Sequence, residues 1–93
     1  MTIGVLQFEI SIADAMSLKD KRRVVKSLKD RIANGHNVSV AEVGALDEHR
    51  RSIFGVAMVS NDARYVESAL SKLVDFVRAV SQVSLIDYQI DLL

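Results

Sequence analysis

Leu6, Phe8, Ile10 and Ile12 alternate with Gln7, Glu9 and Ser11, and this period of two predicts a half-buried strand over Ile3 to Ile12. Asp14 and Ala15 fall in a turn-like connector. The period then changes. Leu18, Val24, Val25, Leu28 and Ile32 share one arc of about 120° on a helical wheel, the core-facing stripe of an amphipathic helix. Ser17 is placed to cap that helix, with Asp20 three residues later approximating a capping box. Asn34-Gly35 ends it, Gly35 being suited to a left-handed C′ position.

Asn37 to Val43 reads as a second strand of ambiguous register, because Val38 and Val40 point one way while Ala41 and Val43 point the other; a bulge accommodates both sets. Gly44 to Arg50 is a polar loop long enough to close a hairpin. Ile53 to Ser60 is a third strand, apolar on both faces and therefore central, and Gly55 within it implies another element packed close above. Asn61 or Asp62 caps a second helix whose buried stripe is Ala63, Val66, Leu70, Leu73, Val74, Val77 and Val80. In the last strand, Val83 to Leu92, Ile86, Tyr88, Ile90 and Leu92 alternate with Asp87, Gln89 and Asp91.

The order β-α-β-β-α-β predicts an α+β, ferredoxin-like sandwich: a four-stranded antiparallel sheet with both helices on one face, because the crossovers are right-handed. Ninety-three residues make a single domain, 1–93, with no internal linker. A chain of this length buries roughly 60% of the surface its unfolded form exposes, enough for one core. Nearly half the residues are apolar and there is no proline, which excludes a disordered or fibrous chain. Without cysteine there are no disulfides, thiolate metal sites or Cys nucleophiles. No run approaches the ~18 apolar residues of a membrane span, and Met1 to Val5 lacks the basic lead and cleavage site of a signal peptide. A cytoplasmic protein is expected.

Charge changes this picture in one place. Between Ser17 and Ile32 the chain carries seven of its twelve Lys and Arg residues against two acids, although its formal net charge is zero. That segment is +5 and the remainder −5, so the folded domain presents one positive face, which suits phosphate backbones or acidic partners. Lys19, Arg22, Arg23, Lys26 and Lys29 share an arc of about 120° beside the apolar stripe, interrupted only by Asp30 and Ala33. Lys19, Arg22, Lys26 and Lys29 form an i, i+3, i+7, i+10 ladder able to face one phosphate track. The face lacks the interspersed acids that exposed helices use for i, i+4 pairing. Lys21 falls inside the apolar arc and is expected to snorkel outward from the first turn.

The blocks Ser17-Leu18-Lys19-Asp20-Lys21-Arg22-Arg23-Val24-Val25-Lys26-Ser27-Leu28, Asn37-Val38-Ser39-Val40-Ala41-Glu42-Val43, Val59-Ser60-Asn61-Asp62 and Asp87-Tyr88 with Ile90 resemble the bacterial YlxP-like family over nearly the whole chain. That family is of unknown function. The resemblance implies a ferredoxin-like fold. Its genes often sit near translation and ribosome-maturation genes, and a role like that of ribosome-binding factor A has been suggested, so the resemblance also implies a ribosomal RNA or ribosomal-subunit partner. The hairpin departs from the family's Asp-His-Gln-Asp-Leu-Trp-Gln pattern: this chain has Gly44, Ala45, Leu46, Asp47, Glu48, His49 and Arg50. Asp47 and the following Arg51 are kept, the family's His and Trp are not, and no role of that Trp carries over.

Other chemistries find little support. An RNA-recognition motif stacks bases on aromatics of its first and third strands; here Phe8 follows the inward set and Phe54 is the single aromatic of the third strand. Acylphosphatases share the topology but need a glycine-rich anion loop after the first strand, and Ser11-Ile12-Ala13-Asp14 is not one. His36 and His49 lie in turns, with only Asp47 and Glu48 beside His49 as further ligands, so neither a metal nor another cofactor is expected. Glu42, the one charge inside the second strand, is read as a salt-bridge partner of Arg51 across the hairpin rather than as a base, since no second catalytic group accompanies it. Ile3, Val5, Ala57 and Val59 can share the open sheet face with Gln7, Glu9, Asp87, Gln89 and Asp91, a mixture apolar at one end. The expectation is a non-enzymatic domain that touches RNA backbone through its first helix during ribosome maturation or translation. The alternative is a homo-oligomeric regulatory or interaction module using the open sheet face, and an active site assembled across a dimer is a third, minor reading.

Overall fold

A computed structural model describes all 93 residues. The elements run β1 (Thr2–Ser11), α1 (Leu18–Gly35), β2 (Ser39–Gly44), β3 (Arg51–Ser60), α2 (Ala63–Ala79) and β4 (Ser84–Leu92). The sheet is antiparallel throughout, in the order β2-β3-β1-β4, with both helices on one face. This is the ferredoxin-like α+β sandwich. β1 and β3, the two most apolar strands, are the central pair.

The pleat sorts the side chains. Leu6, Phe8 and Ile10 of β1 stand opposite Val56, Phe54 and Ser52 of β3, all buried beneath the helices. Phe8 and Phe54 pack ring against ring with centroids 5.0 Å apart. Leu28 and Ile32 of α1, with Val66, Leu70, Leu73, Val74 and Val77 of α2, close the core from above. Ala63 does not belong to that stripe: it is exposed on the first turn of α2, ahead of the point where the helix meets the sheet.

Gly4 has a packing role that hydrophobic periodicity does not register. It is buried at the start of β1, and a Cβ built there falls inside van der Waals contact of Val66 Cγ1 and lies 2.9 Å from Leu70 Cδ1. The missing side chain is what lets α2 lie directly on β1. Gly55 does the same on the opposite face, where a Cβ would meet Val43 Cγ1 at 3.1 Å. The close neighbour is therefore a side chain of the adjoining strand.

Two irregularities reset the alternation. In β2 the register slips between Glu42 and Gly44, so Val43 is a bulged residue. In β4 Leu85, not Ile86, stands opposite Ile10, because the register also slips there, and Ile86 is exposed. The helix caps are local: Ser17 Oγ accepts from Asp20 N at 3.2 Å, Asp20 Oδ2 accepts from Met16 N at 3.0 Å, and Asp62 Oδ1 accepts from Arg64 N and Tyr65 N. α1 does not end on a left-handed glycine. Gly35 remains helical and no glycine has a positive φ; His36 is the C-cap, donating from Nδ1 to Ile32 O at 3.1 Å.

The left-handed residue is Ala45, at φ 57° in the β2–β3 loop. An L-residue there suffers a Cβ–carbonyl clash of about 1–2 kcal/mol, which glycine avoids at an entropic cost of about 0.5–1 kcal/mol. Ala45→Gly is therefore expected to raise stability by about 0.5–1 kcal/mol in urea unfolding; an unchanged or lower midpoint would mean the loop carries no strain.

Candidate nucleic-acid interface

α1 is amphipathic because its apolar residues recur at helical spacing, and burying that stripe dictates where its cations point. Lys19, Arg22, Arg23, Lys26 and Lys29 are all exposed. Arg31 lies on the other flank, its guanidinium 5.1 Å from the centre of the Phe76 ring in α2. At 3.6 residues per turn the ladder of Lys19, Arg22, Lys26 and Lys29 is thus turned away from α2, toward the β2 edge of the sheet. It spans about 15 Å along the helix axis at about 1.5 Å per residue.

The five cations are not equivalent. Lys26 Nζ sits 2.7 Å from Asp30 Oδ2, an i, i+4 pair on the solvated surface, so the acid that interrupts the arc pairs with one of its cations. Arg23 lines a shallow cleft with Asp14, Asp20 and Gln82. Lys19, Arg22 and Lys29 have no ion-pair partner within 4.0 Å and form the uncompensated part of the ladder.

Lys21 behaves differently from expectation. It does not snorkel: its side chain is 2% exposed and its Nζ lies 2.9 Å from Glu42 Oε2 and 2.5 Å from Ala45 O. Its Cα sits in the middle of the apolar arc, one turn before Val25 and two before Leu28, so the stem runs inward and the ammonium must find partners in the protein. Glu42 supplies one, because it follows Val40 on the inward side of β2, and Ser52 Oγ donates to the same Oε2 at 2.6 Å. No buried side-chain nitrogen or oxygen is left without a partner.

The expected pairing of Glu42 with Arg51 is corrected by the same pleat. Glu42 faces the helices; Arg51, opposite Ser11, faces the open side. There its Nε donates to Glu9 Oε2 at 2.6 Å and its Nη1 to Glu48 Oε2 at 2.9 Å. The Glu9 hydrogen bond first, and the Glu48 bond after it, hold the guanidinium pKa above its ordinary value. Arg50 ties the hairpin to the β1–α1 connector, with Nε 3.2 Å from Ala15 O. Loop and helix start are therefore one unit, joined by Arg50 outside and Lys21 inside.

Nothing in this arrangement presents aromatics for base stacking on the sheet. Phe8 and Phe54 are buried under the helices, and Tyr88, opposite Phe8, lies beneath Arg78 at 5.4 Å. His36 is engaged at the end of α1, and no three His, Asp or Glu side chains gather as a metal-holding group. No helix is long and apolar enough to cross a membrane.

The family described as "Protein of unknown function (DUF503)" matches residues 3–90, from β1 into β4. The chain belongs to the DUF503 family. Among curated proteins, this DUF503 chain is similar to the "Uncharacterized protein YlxP" of Bacillus subtilis (strain 168), with 37% identity over 81 residues that cover 87% of the chain and 88% of that protein. The YlxP-like resemblance carried by the Ser17–Leu28 and Asn37–Val43 blocks is thereby established. It leaves the chemistry of the DUF503 surface to be argued from its residues.

Proposed function

We propose that this protein is a non-enzymatic, cytoplasmic binding domain that engages ribosomal RNA backbone through the exposed flank of α1 during bacterial ribosome maturation or translation. One observation carries the reading: Lys19, Arg22 and Lys29 line one side of a single helix, exposed and without intramolecular counter-ions. Unpaired cations in a row repel one another, and a polyanion relieves that repulsion while releasing its own condensed counter-ions. α1 carries no aromatic side chain on which a base could stack, so the contact reads phosphates and not bases. A family resemblance that points toward translation agrees with this chemistry.

The salt dependence tests it. Binding to single-stranded RNA, followed by fluorescence anisotropy, is expected to weaken with a log–log slope of about −2 to −3, from three or four phosphate contacts at about −0.7 each. Asp30→Ala, which frees Lys26, is expected to steepen that slope and tighten binding. Salt-independent binding, or no binding at low salt, would overturn the proposal.

A further inference from the structure

The open sheet face is divided by strand. Val59, Ala57, Gly55 and Ile53 follow one another along β3, flanked by Ile3 and Val5 and then by Gln7 and Glu9 of β1, and by Ser39, Ala41 and Val43 of β2. Val59 and Val43 are each more than half exposed. Gly55, Ala41 and Ala57 floor a shallow trough whose walls are Val5 and Val43. The β4 side is different along most of its length: Asp87, Gln89 and Asp91 stand opposite Glu9, Gln7 and Val5, with the exposed Leu93 opposite Ile3 at the apolar end. Arg51 neutralises Glu9, whereas Asp87 and Asp91 have no cation within 4.0 Å. A contiguous apolar strip beside two uncompensated carboxylates is not an ordinary solvated face.

A second copy of this chain fits it poorly. A two-fold axis lying in the face along the strands sets β4 of one copy over β2 of the other, burying Asp87 and Asp91 against Ala41 and Val43. An axis across the strands sets β4 over β4, so that Asp87 of one copy faces Asp91 of the other. Shifting the axis to spare the carboxylates leaves only three strand columns, a footprint of about 300 Å² at about 4.8 Å between strands. A stable dimer buries about 800 Å² per partner. The basic helix of a second copy is no substitute, since its apolar stripe, Leu28 and Ile32, is already in its own core.

We infer that the open sheet face docks a basic amphipathic helix of a partner protein, its apolar side in the β3 trough and its cations over Asp87 and Asp91. The dimensions specify the ligand. Val59 to Ile53 extends about 20 Å, which a helix of about 13 residues matches. β4 lies two strands, about 10 Å, from β3, so Lys or Arg side chains on the helix flank reach its carboxylates. The two aspartates are four residues apart, about 13 Å, which calls for cations about two helical turns apart. This surface lies on the opposite side of the sheet from α1 and does not depend on the RNA reading.

The probe is a synthetic helix of about 18 residues with leucine on one face and arginine on one flank, with a second peptide carrying glutamate in place of arginine as control. Titration into the ¹⁵N-labelled protein is expected to shift amides of β3 and β4 while leaving the exposed flank of α1 unmoved, with affinity near about 1–100 µM for so small an interface. Asp87→Lys with Asp91→Lys is expected to weaken the arginine peptide at least about tenfold and to admit the glutamate peptide. Val59→Glu, at an exposed strand end, is expected to weaken the arginine peptide. Thermal melts establish that each variant folds. Affinity indifferent to the charge reversal, shifts scattered over both sides of the sheet, or a dimer whose β3 amides the peptide fails to displace would each overturn the inference.

Discussion

Lys21→Ala is expected to destabilise the fold by about 3 kcal/mol, one of the largest losses any single truncation in this chain produces. The substitution removes the ammonium that Glu42 and the Ala45 carbonyl share, and it strands a carboxylate against the core. Breaking a buried pair costs about 3–5 kcal/mol, and the low end applies because Glu42 keeps a fifth of its side chain in water. The double change Lys21→Met with Glu42→Leu removes both charges at similar volume, so it is expected to recover most of the loss. Urea unfolding of Lys21→Met, of Glu42→Leu and of the double change measures the coupling directly. A Lys21→Ala loss below about 1 kcal/mol would show that the pair is exchanged freely with water.

The second large effect is at Gly4. Gly4→Val drives three carbons into the space held by Val66 and Leu70, and both neighbours are fully buried with nowhere to rotate. Overpacking of this kind costs about 1–3 kcal/mol, occasionally more, and the upper part of that range is expected because the Cβ alone already overlaps α2. Gly4→Ala is expected to cost less but still to lower the denaturation midpoint. A neutral Gly4→Val would mean that α2 slides on the sheet instead of resting on β1.

These two sites also mark where reading the chain stopped short. Alternation and helical spacing were enough for all six elements, their order and the core positions Leu6, Phe8, Leu28, Ile32, Leu70, Leu73 and Val77. Both patterns are local, and they register residues that bury apolar area. Gly4 buries by absence, so no periodicity marks it. The Lys21–Glu42 pair joins segments far apart in the chain. Its signal was nonetheless present: one cation inside an apolar arc and one anion on the inward side of a strand require each other. Ile86 leaves the inward set because a bulge shifts the alternation by one residue, and the slip depends on pairing with β1. Gly35 was expected to be left-handed on propensity, but the His36 ring caps the Ile32 carbonyl and removes the need.

The basic ladder was legible in full as a list of residues, and its exposure followed from the apolar stripe. What the pattern did not contain was the weighting among its members. Lys26 is paired to Asp30 and Arg23 shares a cleft with Asp14 and Asp20, so a charge-reversal experiment aimed at Lys26 removes a cation that already has a counter-ion. Arg22 and Lys29 are the better targets: both are exposed and unpaired, and neither takes part in the Lys21–Glu42 pair.

Co-sedimentation with ribosomal particles, at low and at moderate salt, tests the central claim most directly when the parent protein is compared with Arg22→Glu plus Lys29→Glu. Both side chains lie in solvent, so the variant is expected to keep the parent's unfolding free energy within about 0.5 kcal/mol. The parent is expected in the pellet at low salt and largely in the supernatant at moderate salt, and the variant in the supernatant at both, with affinity reduced at least about tenfold. A folded variant that pellets as the parent does would contradict the account and leave the basic flank of α1 a solvated helix surface.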